Sequence, residues 1–490
     1  MLRTLSLLFC LLLINSSCSS FSSRPTRGVS SSVQSGLDLL AESKSIIELV
    51  ATREINGESC ERELGNLIAD YQLLTPQNLE LAIMKADGQK ILDASFEARL
   101  ALHSILGILP VECKSKLKEL NLLIRASEDY VGVHFYQDEQ IPSESIKFPE
   151  QPVPVYEMST YHPYHVGIGM DPKAKFEFKN GDIMITKGVS FISSTISEIA
   201  HPRSLFSHIV FVHVDNETKK VETIESYVGK GVGIYNIEDA LKNENSRIVV
   251  LRSKDSELAA RAADYMYNKV VELKKKNKVI PYDYELNFTD NSKLSCEEVA
   301  YDSYKFASEG KIILPEVMSK ITMKDAGFLK RIGIKKGMMM IPTDMETDSR
   351  FDIVLDWTDY RLMRNSWRKD AVLGEMFRWI DEHDYQIHEN LTSIAAKAIW
   401  STRYIPGLWG MLSKISGIPK DFTKDVPSLT ISTMASLKII GGILLPEVTK
   451  ADQEYYAKNG KWMSTEMLRD SLEKFRESEP KNLMKVFSEK

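Results

Sequence analysis

The stretch "SHIVFVHVDNETKKVETIESY", residues 207–227, decides the fold. Its two halves are rich in β-branched and aromatic residues and alternate with period two, as half-buried strands do. Between them "DNET" (215–218) is a polar four-residue turn, so the stretch reads as an antiparallel hairpin. If Val214 pairs with Lys219, His208 falls opposite Glu225, with their Cβ atoms about 5 Å apart on one face. That face continues through Val210–Thr223 and Val212–Val221 and predicts a helix packed against it. An imidazole beside a carboxylate on a rigid sheet has the orientation that a general base needs. His213 points to the opposite face by alternation and reads as packed or exposed.

Outward from the hairpin, "GDIMIT" (181–186) and "SRIVVLR" (246–252) read as further strands, and "SELAARAADYMYNKVVELKKK" (256–276) as a helix. The stretch "NSKLSCEEVAYDSYKFASEG" (291–310) then opens a second helix. Ser295 is a good N-cap, Glu298 completes a capping box, and Gly310 supplies a stop. Cys296 therefore occupies the first helical position, where unpaired amides and the helix dipole favour a thiolate. It shares a face with Val299, Ala300, Ser303 and Ala307, while Glu297 and Glu298 oppose the thiolate. The plain alternative is a small buried cysteine filling a gap between helix and sheet. Taken together, Cys296, His208 and Glu225 supply a nucleophile, a base and an orienting acid, a set recognised by roles and not by chain order. Such a set forms an acyl-enzyme, with the amide of Cys296 as the natural oxyanion donor.

The ordered set "GDIMIT", "SLFSHIVFVHVD", "VETIESYVGKGVGIY", "PYDYELNF", "LSCEEVAYDSY" and "IPTDM…SRFDIV" resembles the YiiX-like family, circularly permuted papain-like amidases of the NlpC superfamily. The resemblance covers roughly residues 176–360. It implies an α+β, papain-like core in which the histidine strand precedes the cysteine helix. It matches Cys296 to the nucleophile, His208 to the base and Glu225 to the polar third residue. It also implies that "PYDYELNF" lines the cleft, bringing Tyr282 or Asp283 to substrate. Phe211 stands where the family usually has a small residue, and Glu297 replaces a common serine. Both departures bear on the substrate.

The chain's 490 residues exceed one ordinary core, and a formal charge of −6 gives no reason to expect nucleic acid as a partner. Five segments are expected. Residues 1–18 carry Arg3, an apolar run from Leu5 to Ile14 and then Cys18, the pattern of a lipoprotein export signal with Cys18 as the lipidated residue, although Asn15 stands where leucine is usual. A Ser-rich tether follows over 19–36. Residues 37–150 form a helical region with a Pro-rich linker, 151–362 the catalytic domain, and 363–490 a mostly helical C-terminal region. These features predict a bacterial envelope protein held to the membrane by its N-terminal lipid. Of the other cysteines, Cys10 lies in the signal. Cys60 and Cys113 lie in the helical region, and the sequence leaves open whether their Cα atoms approach to about 6 Å and bridge.

The apolar stretch "LTISTMASLKIIGGILLPE" (429–447) reads as a core helix. Lys438 and Pro446 are expected to leave no window long enough to cross a bilayer, and a surface resting on a membrane is the alternative. His165, in "YHPYHVGIGM", imitates the histidine-strand motif but precedes "GDIMIT". With His162 it offers two metal ligands and no third, so neither a metal nor a cofactor is expected. "VGKGVG" (228–233) reads as a turn between strands, since no helix follows. The expected activity is a cysteine hydrolase or amidase acting on cell-wall peptide or N-acyl amide bonds. Lipid acyl transfer, ester or thioester hydrolysis, and a catalytically silent lipoprotein scaffold are the alternatives.

Overall fold

A computed structural model describes residues 36–74, 79–137, 153–157, 163–171, 173–242, 244–334, 337–387, 391–416, 418–483 and 487–489. The expected signal with Cys10 and Cys18, nearly all of the tether, most of the Pro-rich linker and His162 lie outside these residues.

The N-terminal helices are α1 (Gly36–Ala51), α2 (Cys60–Leu73), α3 (Leu81–Ser104) and α4 (Val111–Phe135). Their apolar residues recur at three- and four-residue spacing, so each buries one stripe, including Ile46, Leu64, Leu67, Ile91, Leu117 and Ile124. A disulfide joins Cys60 at the start of α2 to Cys113 at the start of α4, with Cα atoms 6.0 Å apart.

The central sheet has eight antiparallel strands: β1 (Tyr164–His165), β2 (Gly169–Met170), β3 (Ile183–Gly188), β4 (His208–Val214), β5 (Val221–Tyr227), β6 (Gly231–Asn236), β7 (Asn245–Ser253) and β8 (Phe351–Thr358). Their spatial order is β2-β1-β8-β7-β3-β4-β5-β6. With helices packed on this antiparallel sheet, the fold is α+β.

The β4–β5 hairpin is closed two residues further along its second strand than expected. Asp215 and Lys220 close the loop, Asp215 Oδ1 accepts from the amides of Glu217 and Thr218, and Lys219 takes the left-handed conformation at φ 60°. Val212 therefore pairs with Thr223 and Val214 with Val221. The shift is two in pairing number, so every side chain keeps its face while its partner changes.

Helices cover both faces of the hairpin: the short helix Ile237–Lys242 packs with Val210, Val212 and Val221 on the expected face, and the cysteine helix lies on the other. Helices α6 (Ser256–Lys275) and α7 (Cys296–Ala307) pack over Ile209, Phe211 and Ile224 through Ala262, Val299 and Ala300. Val210 and Val212 instead join Phe176, Phe178, Ile248 and Trp357 in a separate core. The strand was apolar on both faces, and alternation alone did not say which face the cysteine helix would take.

The two helical flanks share one core. The helix α8 (Tyr360–Glu382) contributes Met363, Ala371, Met376 and Trp379 to the same cluster as α3 and α4. The long helix α11 (Ser428–Asn459) joins it through Leu437, Ile440, Leu444 and Val448, and α12 (Thr465–Ser478) through Leu468 and Leu472. Between them lie α9 (Leu391–Ser401) and α10 (Pro406–Ser416). Pro446 does not end α11. Contrary to expectation, the helix holds an 18-residue window long and apolar enough by composition to cross a bilayer. Half of that window, however, is buried inside the protein.

Buried ion pairs bind the N-terminal helices to the sheet. Arg99 of α3 meets Glu128 at 3.0 Å and Asp356 of β8 at 2.8 Å, and Arg125 of α4 meets Asp356 at 2.9 Å and also Glu346. Arg247 of β7 pairs with Asp129. Burial opposes ionisation of Asp356, but Arg125, Arg99 and Arg247 outweigh it and hold the carboxyl at about 2.

Candidate active site

Both halves of the expected capping box are present: the Ser295 hydroxyl accepts from the Glu298 amide, and the Glu298 carboxylate accepts from the Ser295 amide at 2.7 Å. Burial still pushes the Glu298 carboxyl up to about 8. Cys296 is the first residue of α7 and is 2% exposed.

His208, the first residue of β4, is partly exposed, and its Nε2 lies 2.9 Å from Glu225 Oε2. The bond is diagonal across the strand pair. Carried on, the hairpin register sets Glu225 against Val210 and Tyr227 against His208. The Tyr227 ring stacks on the imidazole, with centroids 5.1 Å apart. Its hydroxyl donates to Glu225 Oε2 at 2.6 Å, and the Thr223 hydroxyl donates to Oε1 at 2.5 Å. Burial of Glu225 favours its neutral form, yet the bonds from His208, Thr223 and Tyr227 win and keep it ionised below the usual carboxylate range. Thr223, Glu225 and Tyr227 share one face by strand alternation, so the sequence held the signal for Tyr227 and Thr223, which the pairing argument passed over.

No hydrogen bond joins Cys296 to His208. The sulfur instead contacts Glu297 Oε2 at 3.2 Å, and the amide of Ile209, the residue after His208, lies beside it. Burial first, and then the Glu297 carboxylate, raise the thiol well above its ordinary pKa, against the lowering expected from the helix start. Burial likewise raises Glu297, against hydrogen bonds from its own backbone, Cys296 and Ser295 that favour the carboxylate.

The cleft segment divides its roles. Tyr282 is buried near Cys296, whose charge it senses, and its ring tilts against Tyr284 at 5.0 Å. Asp283 accepts from the amides of Glu285 and Asn287, so its carboxylate shapes its own loop instead of facing outward. Both residues line a largely apolar cavity of about 110 Å³ that reaches Glu297 and is walled by Ile196, Ile334, Met434 and Leu437. An open groove of about 530 Å³ shares Tyr282, Asp283, Tyr284, Ile334 and Thr430 with it and carries Lys293, Lys330 and Asp425.

His165 lies on β1, four strands from β4 in the sheet, with Nδ1 3.1 Å from the Val166 carbonyl, so it stands apart from Cys296. His213 faces α6, stacking on Tyr267 at 3.9 Å and meeting Asp264 at 3.3 Å. Among the described residues no group of three His, Cys, Asp or Glu side chains is placed to hold a metal. The glycine-rich stretch after Tyr227 is a turn from β5 into β6, with Gly229 and Gly231 at positive φ.

No protein-family model matches the chain, and no curated protein matches it. Among solved structures the chain has a weak likeness to the crystal structure of metalloprotein yiiX from Escherichia coli O157:H7 (DUF1105). The match has 19% identity and a TM-score of 0.28, and covers 36% of this chain and 96% of that one.

Proposed function

We propose that this chain is an exported, permuted papain-like cysteine hydrolase of the YiiX-like type, in which Cys296 attacks an acyl carbon. One observation supports the reading: His208 is held through Nε2 by the ionised Glu225, and the amide of the next residue, Ile209, lies beside the sulfur of Cys296 at the helix start. On substrate binding His208 takes the proton from Sγ, and the sulfur forms a bond to the carbonyl carbon. The amide of Cys296 receives the oxyanion, and protonated His208 returns the proton to the leaving amine or alcohol as its bond breaks. Water, deprotonated by His208, then cleaves the thioester, releasing the acid and restoring the thiol. Burial and the Glu297 carboxylate raise the thiol, so proton transfer to His208 is part of the attack and does not precede it.

The apolar cavity beside Glu297 favours a substrate whose acyl portion is apolar, an N-acyl amide or a lipid ester or thioester, over a purely polar cell-wall peptide. Transfer to an acceptor other than water uses the same intermediate. The Cys60–Cys113 bridge supports an oxidising compartment such as the cell envelope.

The test is to incubate the protein with activated acyl esters and N-acyl amides and read the mass of Cys296. A stable acyl adduct in His208→Ala or at low pH, absent in Cys296→Ala, supports the reading. Hydrolysis that survives Cys296→Ala unchanged, or no adduct with any acyl donor, overturns it and leaves the scaffold alternative.

A further inference from the structure

The segment from α9 through α10 to Pro427 carries an apolar and basic surface that the hydrolase chemistry does not use. Six of the eighteen large apolar side chains exposed among the described residues fall between Leu391 and Met411. Leu391 is 86% exposed, Tyr404 59%, Ile405 56% and Met411 55%. Scattered singly such residues would mean little, but their concentration in two short helices marks a contact surface. The segment packs around a small core of Trp400, Val426 and Ile431 with Tyr284, Trp409 and Phe422, which these outer residues do not join.

Charge indicates what covers the surface. Residues 391–427 hold five basic residues (Lys397, Arg403, Lys414, Lys420 and Lys424) and two acidic ones, a surplus of three positive charges in a chain whose formal charge is −6. Asp421, one of the two acids, is itself paired with Lys230 at 2.7 Å. Arg403 sits 4.6 Å over the Trp400 ring and 4.5 Å over Tyr404, the mix of aromatic body and cationic head that settles at a headgroup layer. Two copies meeting about a two-fold axis through this face would set the positive surplus against itself.

We infer that the α9–α10 face docks on an anionic lipid bilayer, with Leu391, Tyr404, Ile405 and Met411 entering the interface and the basic residues meeting headgroups. The docked face is joined to the neighbourhood of His208. The Thr423 amide donates to the Gly229 carbonyl at 2.6 Å, two residues beyond the Tyr227 that stacks on the imidazole. Docking thus brings the groove bordered by Asp425 and Pro427 close to the membrane. The inference stands on this surface alone, whatever the chemistry at Cys296.

Hydrogen–deuterium exchange of the full chain tests it, with and without vesicles of phosphatidylcholine alone or with roughly a third phosphatidylglycerol. A local readout separates this face from any binding by the apolar N-terminal run. Exchange over 391–416 should slow on the order of tenfold on the anionic vesicles and little on the neutral ones. Ile405→Ser with Leu408→Ser, and separately Lys414→Glu with Lys420→Glu, should abolish that protection; all four positions are exposed. Unchanged exchange over 391–416 on anionic vesicles overturns the inference. So does protection that needs no vesicles and grows with protein concentration, which would name a second copy as the occupant.

Discussion

His208 and Glu225 bond diagonally across the β4–β5 hairpin at 2.9 Å, while Tyr227 stacks on the imidazole and donates to the same carboxylate. The acid thus has two side-chain donors besides the histidine, from Thr223 and Tyr227. A carboxylate gripped in this way holds the imidazole in one ring orientation.

Tyr227→Phe keeps the stacked ring and removes one bond to an ionised acceptor, an interaction of about 1.5–3 kcal/mol. Acyl-ester turnover should fall roughly tenfold through kcat with KM little changed. Glu225→Gln should lose more, because the ring also loses its charged partner. Parent-like kinetics in Tyr227→Phe, with melting unchanged, would remove the tyrosine from the orienting set.

Cys296 should alkylate slowly at neutral pH and faster as pH rises past the ordinary thiol range, because burial and the Glu297 carboxylate both disfavour the thiolate. Glu297→Gln removes the like charge, so the thiol pKa must fall. Each unit of fall raises the thiolate fraction at fixed pH about tenfold. The rate of iodoacetamide labelling against pH reads this directly. A curve unmoved by Glu297→Gln would mean that the 3.2 Å contact does not set the thiol.

Arg125→Met should destabilise the protein by about 3–5 kcal/mol, since it strips a buried cation from Asp356 and Glu346. The sign with pH is fixed by the depressed Asp356. Its stabilisation is complete above the ordinary carboxylate value of about 4 and drains away as pH falls toward about 2. Glu128 and Asp129, raised by burial, titrate higher and do not mimic that window. Urea unfolding between those pH limits should show the parent losing more stability than the variant.

Cys60 and Cys113 are 53 residues apart, and a cross-link of that span removes loop entropy from the unfolded chain equivalent to about 4 kcal/mol. Reduction, or Cys60→Ala with Cys113→Ala, should lower the urea midpoint accordingly and leave labelling of Cys296 unchanged. Equal stability with and without reductant would show that the bond does not form in solution.

The strands β3, β4, β5 and β7, the helix starting at Cys296 with its capping box, and the shared face of His208 and Glu225 were all legible in the sequence. Those are local properties, set by side-chain period and by hydrogen bonds within three residues. The face survived even the misplaced turn, because a shift of two in pairing preserves strand parity. Long-range packing, by contrast, chose the face that α7 covers, that of Ile209 and Phe211 and not that of Val210 and Val212. Long-range packing also joined the two helical flanks in one core. These outcomes rest on contacts between residues far apart in the chain, such as Arg99 with Asp356. A strand apolar on both sides, or a helix with two buried stripes, carries no mark of which partner will reach it, because burial stabilises either contact equally.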